Sequence, residues 1–181
     1  MLQALVGSVA TPGTDPTVVA QAKGYMIAHS TEQIETALRL EFKARSGSGI
    51  KPADMYELTD TLFGVLYNMG VSEKDQYQGP DAKSQVHFGN AVSKFEEAWG
   101  MKPWAAQWHA AQYPKALYGW ALMLKERATL DARATGAADK KETAAARDKF
   151  EQFLKEAAAV AYPAKYADNL ATAKKYIAEH S

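Results

Sequence analysis

The sequence predicts an all-α chain built as a short array of stacked helical hairpins. Three observations predict it. Apolar residues recur at helical spacing along most of the chain, and no stretch alternates as a half-buried strand would. The segment KFEE at Lys94–Glu97 returns as KFEQ at Lys149–Gln152, fifty-five positions later. The helices before the two copies carry roughly matching apolar stripes, so the repeated unit is a helix, a polar connection and a second helix.

Taken in order, residues 1–15 read as a tail. Thr14-Asp15-Pro16 is a helix start, a capping residue followed by proline at the first helical position. Val18, Ala22, Tyr25 and Met26 follow at helical spacing. Ser30 and Gln33 form a capping-box pair opening a second helix, with Ile34, Ala37, Leu38 and Phe42 on its apolar face. Residues 16–46 thus form an N-terminal hairpin, and Ser46-Gly47-Ser48-Gly49 leads into a linker over 47–54. Met55, Leu58, Leu62, Val65, Leu66 and Met69 then lie on one stripe of a helix that Gly70 is expected to end. Residues 71–85, with Gly79-Pro80, read as a loop. The next helix turns Phe88, Ala91, Val92, Phe95, Ala98 and Trp99 to one face and stops at Gly100.

Residues 55–103 make the first unit, and a short helix over Trp104–Gln112 is expected within the connection 104–113. Pro114 opens the second unit, 114–160, with Leu117, Trp120, Ala121 and Leu124 inward. A polar stretch at Asp131–Lys141 precedes a helix lined by Ala146, Phe150, Phe153, Leu154 and Ala157. Pro163 starts the last helix of the capping segment 161–181, with Tyr166, Leu170, Ala173 and Ile177 on its buried side.

In both units the second helix alternates small and large apolar residues. Ala91, Phe95, Ala98 and Pro103 define the first copy. Small residues let paired helices approach closely, and the aromatic plugs the gap between units. With Phe63, Gly64 and Tyr67 on the first helix, this pattern resembles the tetratricopeptide repeat. In the second unit Leu117, Trp120, Ala121 and Leu124, then Ala146 and Phe150, fit the same consensus. Phe153 and Ala158 depart from it, standing where alanine and proline are usual. Both units also carry about a dozen extra residues between their helices beyond the standard 34-residue repeat. The extra stretch and the wording of KFEEA and KALYGWALMLKERA are similar to the plant-type mitochondrial import receptors of about 20 kDa and related plant and algal organelle proteins. The resemblance implies a helical solenoid, partner binding and a mitochondrial or plastid setting. This chain departs from those receptors by ending in the polar helix KKYIAEHS where they have a membrane anchor.

Composition narrows the function. Lys+Arg and Asp+Glu both number 21, so the net charge is zero. That disfavours a general affinity for nucleic-acid backbones or anionic membranes. The absence of cysteine excludes disulfides, thiolate metal sites and thiol catalysis. No apolar run is long enough to span a bilayer, and the opening MLQALVGSVATPGTDP does not read as a signal peptide. None of His29, His87, His109 and His180 stands in an HExxH or ExxH pattern. Glu96 and Glu97 point about 100° apart on a helix and form no dyad. Ser46–Lys51 lacks the spacing of a phosphate loop. No catalytic residue, metal or cofactor is expected.

Two sets of residues are candidates for partner binding. In arrays of this kind the first helices line the groove, which nominates Thr61, Val65, Asn68, Tyr118, Leu122 and Lys125. That set lacks the paired Lys/Asn pattern that clamps a C-terminal carboxylate in chaperone-binding members. The second set is an aromatic edge of Trp104, Trp108 and Tyr113. Trp104 and Trp108, four residues apart, either cover the seam between units or offer an apolar patch to a partner. Trp99 and Trp120 read as packing residues. The expectation is a non-catalytic interaction module, a soluble peripheral subunit or assembly factor of a larger organellar complex. The alternatives are a soluble receptor for amphipathic targeting peptides and a small helical enzyme or cofactor- or pigment-associated protein.

Overall fold

The computed structural model describes residues 32–46, 51–106, 109–137 and 139–180, and these are helical, with no strand among them. The predicted first helix, Ser30 of the capping box, His29 and Trp108 lie outside the described residues. The chain divides into two units, Met1–Ser48 and Gly49–Ser181. In the first, helix α1 covers residues 32–46 and carries i,i+4 ion pairs, Arg39–Glu35 at 2.6 Å and Arg45–Glu41 at 2.5 Å. Of its predicted apolar face, Ile34 and Ala37 are exposed while Leu38 and Phe42 are half-buried.

The second unit holds α2 (Tyr56–Gln76), α3 (Ala82–Gly100), α4 (Pro114–Thr135), α5 (Lys140–Ala158) and α6 (Ala167–Glu179). Each helix packs chiefly on its neighbours in the chain. The strongest pairings are α2 with α3 and α4 with α5; α3 joins the two hairpins through α4, and α6 closes on α5. The predicted stripes face inward: Met55, Leu62 and Leu66, then Ala91, Phe95 and Ala98, then Ala146, Phe150, Phe153 and Ala157 are all buried.

The helix ends follow local chemistry. Asp81 and Asp139 cap α3 and α5, each accepting from two backbone N–H groups, of Lys83 and Ser84 and of Lys141 and Glu142. Such a cap satisfies donors that the helix leaves without partners. Pro114 stands in the first turn of α4, and Gly136 ends it with φ +75°, a backbone state that suits glycine.

The two first helices are longer than the repeat pattern suggested. Gly70 does not end α2, which runs on to Gln76, and α4 continues through Asp131 to Thr135. The additional residues of each unit therefore extend helices, and the first connection shrinks to the residues between Gln76 and Ala82. Gly70 is a packing glycine. A Cβ there would lie 2.8 Å from Phe95 Cε1, and one on Gly119 would lie 2.6 Å from the same atom. One edge of the Phe95 ring sits in the notch between α2 and α4, so the glycines set how closely the two hairpins approach.

Polar ties join the helices within each hairpin, and one cation–ring contact crosses between the hairpins. Arg127 of α4 holds its Nε 2.7 Å from Glu142 Oε1 of α5, and its guanidinium lies 4.4 Å over the Phe88 ring of α3. Burial is the main cause that pushes the Glu142 carboxyl up, and Arg127 opposes it. His87 of α3 meets Glu73 of α2 at 2.7 Å.

Among the described residues of the predicted connecting helix at 104–112 there is no α-helix; two 3-10 turns, Lys102–Trp104 and Ala110–Gln112, stand at its ends. Pro163 likewise leads first into a 3-10 turn, Ala164–Tyr166, before α6. No described helix is long and apolar enough to cross a membrane.

Candidate functional site

Side chains of α2, α4 and α6 line two adjoining cavities. On α4 a row runs Lys115, Tyr118, Leu122, Lys125 and Thr129 to Arg133, a helical stripe at steps of three and four. Of these only Thr129 and Arg133 are exposed. Along its far half the row borders both cavities. One, of ≈ 400 Å³, is lined by Lys74 from the end of α2 together with Leu122, Lys125, Glu126, Leu130 and Arg133. The other, of ≈ 420 Å³, shares Lys125, Thr129 and Arg133 and is completed from α6 by Tyr176, Glu179 and His180. The cations of this channel are Lys74, Lys125 and Arg133. Lys74 is engaged by Asp75 at 2.6 Å, and Lys125 lies 5.8 Å over the Tyr176 ring.

The near half of the row is aromatic. Lys115 Nζ lies 4.4 Å over Tyr67 and 5.1 Å over Phe63, both on α2. Tyr118 packs on Phe153 at 5.2 Å, Phe153 on Tyr162 at 5.4 Å, and Tyr162 on Tyr166 at 5.6 Å. Lys165 stands 4.9 Å over Tyr166. Burial raises the pKa of Tyr67 and pushes Tyr162 up to about 12, with the neighbouring phenols adding to both shifts. These hydroxyls are therefore protonated donors at neutral pH. Desolvation lowers the pKa of Lys115; Tyr166 opposes this, and Lys165 adds a smaller lowering.

A third feature lies at the start of α2. Asp54, Glu57, Asp60 and Thr61 line a cavity of ≈ 730 Å³ with Tyr56 and His109. Asp60 accepts a hydrogen bond from the Tyr113 hydroxyl at 3.2 Å, and its other oxygen meets His109 Nδ1. Burial, then the charge of Asp60, holds the Tyr113 phenol far above its ordinary range. Asp60 thus ties His109 and Tyr113 to the start of α2. The hydroxyl on the same cavity, Thr61 Oγ1, donates to the Glu57 carbonyl at 2.8 Å.

Of the nominated groove residues, the structure brings Leu122 and Lys125 together in the channel and joins Tyr118 to the aromatic half of the same row. Thr61 lines the separate acidic cavity. Val65 is half-buried and Asn68 exposed on α2. Of the aromatic edge, Trp104 is half-buried and Trp108 lies outside the described residues. Tyr113 does not belong to an exposed edge. It is fully buried, because its ring packs, tilted, 4.2 Å from Phe63 while its hydroxyl is taken by Asp60. Trp99 and Trp120 are half-buried and pack against the core of the second hairpin. Trp120 also carries Lys149 Nζ at 3.7 Å over its ring.

Sequence reasoning missed Lys74, Lys115, Lys165, Tyr162 and Tyr176. The available signal was the recurrence of tyrosine with a nearby lysine in each segment that feeds the first-helix face: Tyr67 with Lys74, Lys115 with Tyr118, and Lys165 with Tyr166. Among the described residues no group of three or more His, Asp or Glu side chains is arranged to hold a metal ion. Comparison with known protein families, curated proteins and solved structures returns no match.

Proposed function

We propose that this chain is a tetratricopeptide-like interaction module that binds another protein along the face made by α2, α4 and α6. The observation that carries the reading is the continuous row on α4. It pairs half-buried Tyr118 and Leu122 with Lys115, Lys125 and Arg133 and borders two adjoining cavities. Aromatic residues and arginine are enriched at protein interfaces, and a few such anchors carry most of the interface energy. The hairpin order, the small–large–small second helices and the glycine notch for Phe95 support the repeat reading. The role as a peripheral subunit or assembly factor of a mitochondrial or plastid complex rests on the resemblance of its repeats. Affinity capture from the source organism, with wild type beside Leu122→Glu/Arg133→Glu, tests the proposal. A partner retained by wild type and lost by the variant is expected. A partner retained equally by both contradicts the assignment of the face.

A second reading, a receptor for basic amphipathic targeting peptides, is favoured by the cavity lined by Asp54, Glu57 and Asp60. Titration with a basic amphipathic helix tests it. Binding that disappears in Asp54→Asn/Glu57→Gln supports this reading, and the absence of binding removes it.

A further inference from the structure

The aromatic half of the first-helix face holds two cations, Lys115 and Lys165, that form no ion pair among the described residues. Lys115 is half-buried and Lys165 exposed; burial disfavours the charge of Lys115, Tyr166 opposes this and Lys165 adds to it. Both ammonium groups lie over ring faces, Lys115 over Tyr67 and Phe63 and Lys165 over Tyr166. Ring faces attract a cation but do not neutralise it. Among the described residues neither lysine pairs with a carboxylate, whereas Lys74, Lys102, Arg127, Arg147 and Lys175 all do. A partly desolvated cation facing a second cation is costly unless an anion is supplied from outside.

Phenols surround the pair. Tyr67, Tyr118, Tyr162 and Tyr166 come from α2, from α4 and from the segment between α5 and α6, and all four are half-buried. Asn169 Nδ2 donates to the Tyr162 hydroxyl at 3.1 Å, which leaves the phenolic proton free for another acceptor. Two ammonium groups and protonated hydroxyls set among rings form a donor-rich surface with apolar walls.

We propose that the Lys115–Lys165 pair and the phenols of Tyr67, Tyr118, Tyr162 and Tyr166 bind a carboxylate-bearing segment of a partner protein. Charge complementarity selects the anion. The ring walls select a peptide over a bare ion, because tyrosine surfaces gain affinity by burying side-chain and backbone area beside the charge. The cluster contains no arginine fork, the group best matched to phosphate. This inference rests on the first-helix-face reading and names what one end of that face recognises.

The test uses the full chain and fluorescently labelled hexaglutamate, followed by anisotropy at low ionic strength, with labelled hexaglutamine as control. Saturable binding of hexaglutamate alone is expected. Lys115→Met/Lys165→Met weakens it by about tenfold or more. Lys140→Met/Lys141→Met, which removes the same charge from the start of α5, leaves it within about twofold. Tyr166→Phe, which deletes one hydroxyl, gives an intermediate loss. No binding of hexaglutamate, or equal losses in the two lysine pairs, overturns the proposal. Competition by inorganic phosphate at the peptide's own concentration also overturns it, in favour of a phosphoryl ligand. If hexaglutamate binds as expected but partner capture is indifferent to Leu122→Glu/Arg133→Glu, the carboxylate site stands and the wider face fails. If capture responds and hexaglutamate does not bind, the face stands and the site fails.

Discussion

Replacing Gly119 with alanine puts a Cβ 2.6 Å from Phe95 Cε1, 2.8 Å from Cζ and 3.0 Å from Cδ1. All three are ring carbons of a fully buried side chain, and Gly70 presses on the same edge, its Cβ position 2.8 Å from Cε1. The ring can withdraw only toward its own helix. Overpacking of this kind costs about 1–3 kcal/mol, and the tight clearance places Gly119→Ala toward the upper end. Alanine returns about 1 kcal/mol as a better helix former than glycine. The expected net loss is about 1–2 kcal/mol, a fall in melting temperature of about 2–8 °C for a chain of this size. Gly89→Ala is the control. It lies within α3 with nothing described within 4 Å of its Cβ position, so it keeps the propensity gain and stabilises by about 0.5–1 kcal/mol. Thermal and urea unfolding followed by far-UV circular dichroism measures both. Phe95→Leu in the Gly119→Ala background relieves the clash, so the double-mutant cycle shows a coupling of about 1 kcal/mol or more. If Gly119→Ala were as stable as Gly89→Ala, the hairpins would not be joined through this notch and the packing argument would fail.

Other consequences follow from the same geometry. Asp139→Ala removes the cap of α5 and should cost about 1 kcal/mol in urea unfolding. Tyr113→Phe deletes the buried hydrogen bond to Asp60, a loss of about 0.5–1.5 kcal/mol that leaves the helix content unchanged by circular dichroism. The folded-state pKa of Glu142 is raised above its ordinary 4.5, chiefly by burial. Its contribution to stability is therefore full below that value and is lost as pH rises through the folded pKa. Glu142→Gln should flatten that decline in a series of melting curves against pH, and an unchanged slope would show that the carboxyl is not desolvated. Asp81 has the opposite sign. Hydrogen bonds with Ser84 hold its pKa below 3.8, so its stabilisation is present at neutral pH and lost in acid. Asp81→Ala should remove that part of the acid limb.

What could be read from the sequence was local and periodic. Met55, Leu62 and Leu66 and the alternation of Ala91, Phe95 and Ala98 needed only helical spacing to predict burial, and these residues are buried, while Leu58 and Val65 of the same stripe are half-buried. The glycines show where that reasoning ends. Gly100 does close α3, but Gly70 sits inside α2, because the Phe95 ring lies against it. Glycine's helix-breaking tendency is local, while the need for space depends on a ring contributed by another helix. Tyr113 looked like part of an aromatic edge because Trp104 and Trp108 are near it in the chain. Its partner Asp60 is 53 residues away, and no spacing rule links the two. The Lys115–Lys165 pair was hidden for the same reason, since α5 and its turn separate the two in sequence. Leu122 and Lys125 were legible as outward positions of a first helix; that Arg133 and Tyr176 complete their surroundings depended on α4 running to Thr135 and on where α6 packs.

The central claim is that the α2–α4–α6 face holds the partner. A photo-activated cross-linking residue at position 122, compared with one at position 86, tests it most directly. Val86 is 60% exposed on α3, whereas Leu122 is half-buried in the channel. Irradiation of the protein in extracts of its source should give a discrete partner adduct from position 122 and none from position 86. Adducts from position 86 alone, or equally from both, would contradict the account.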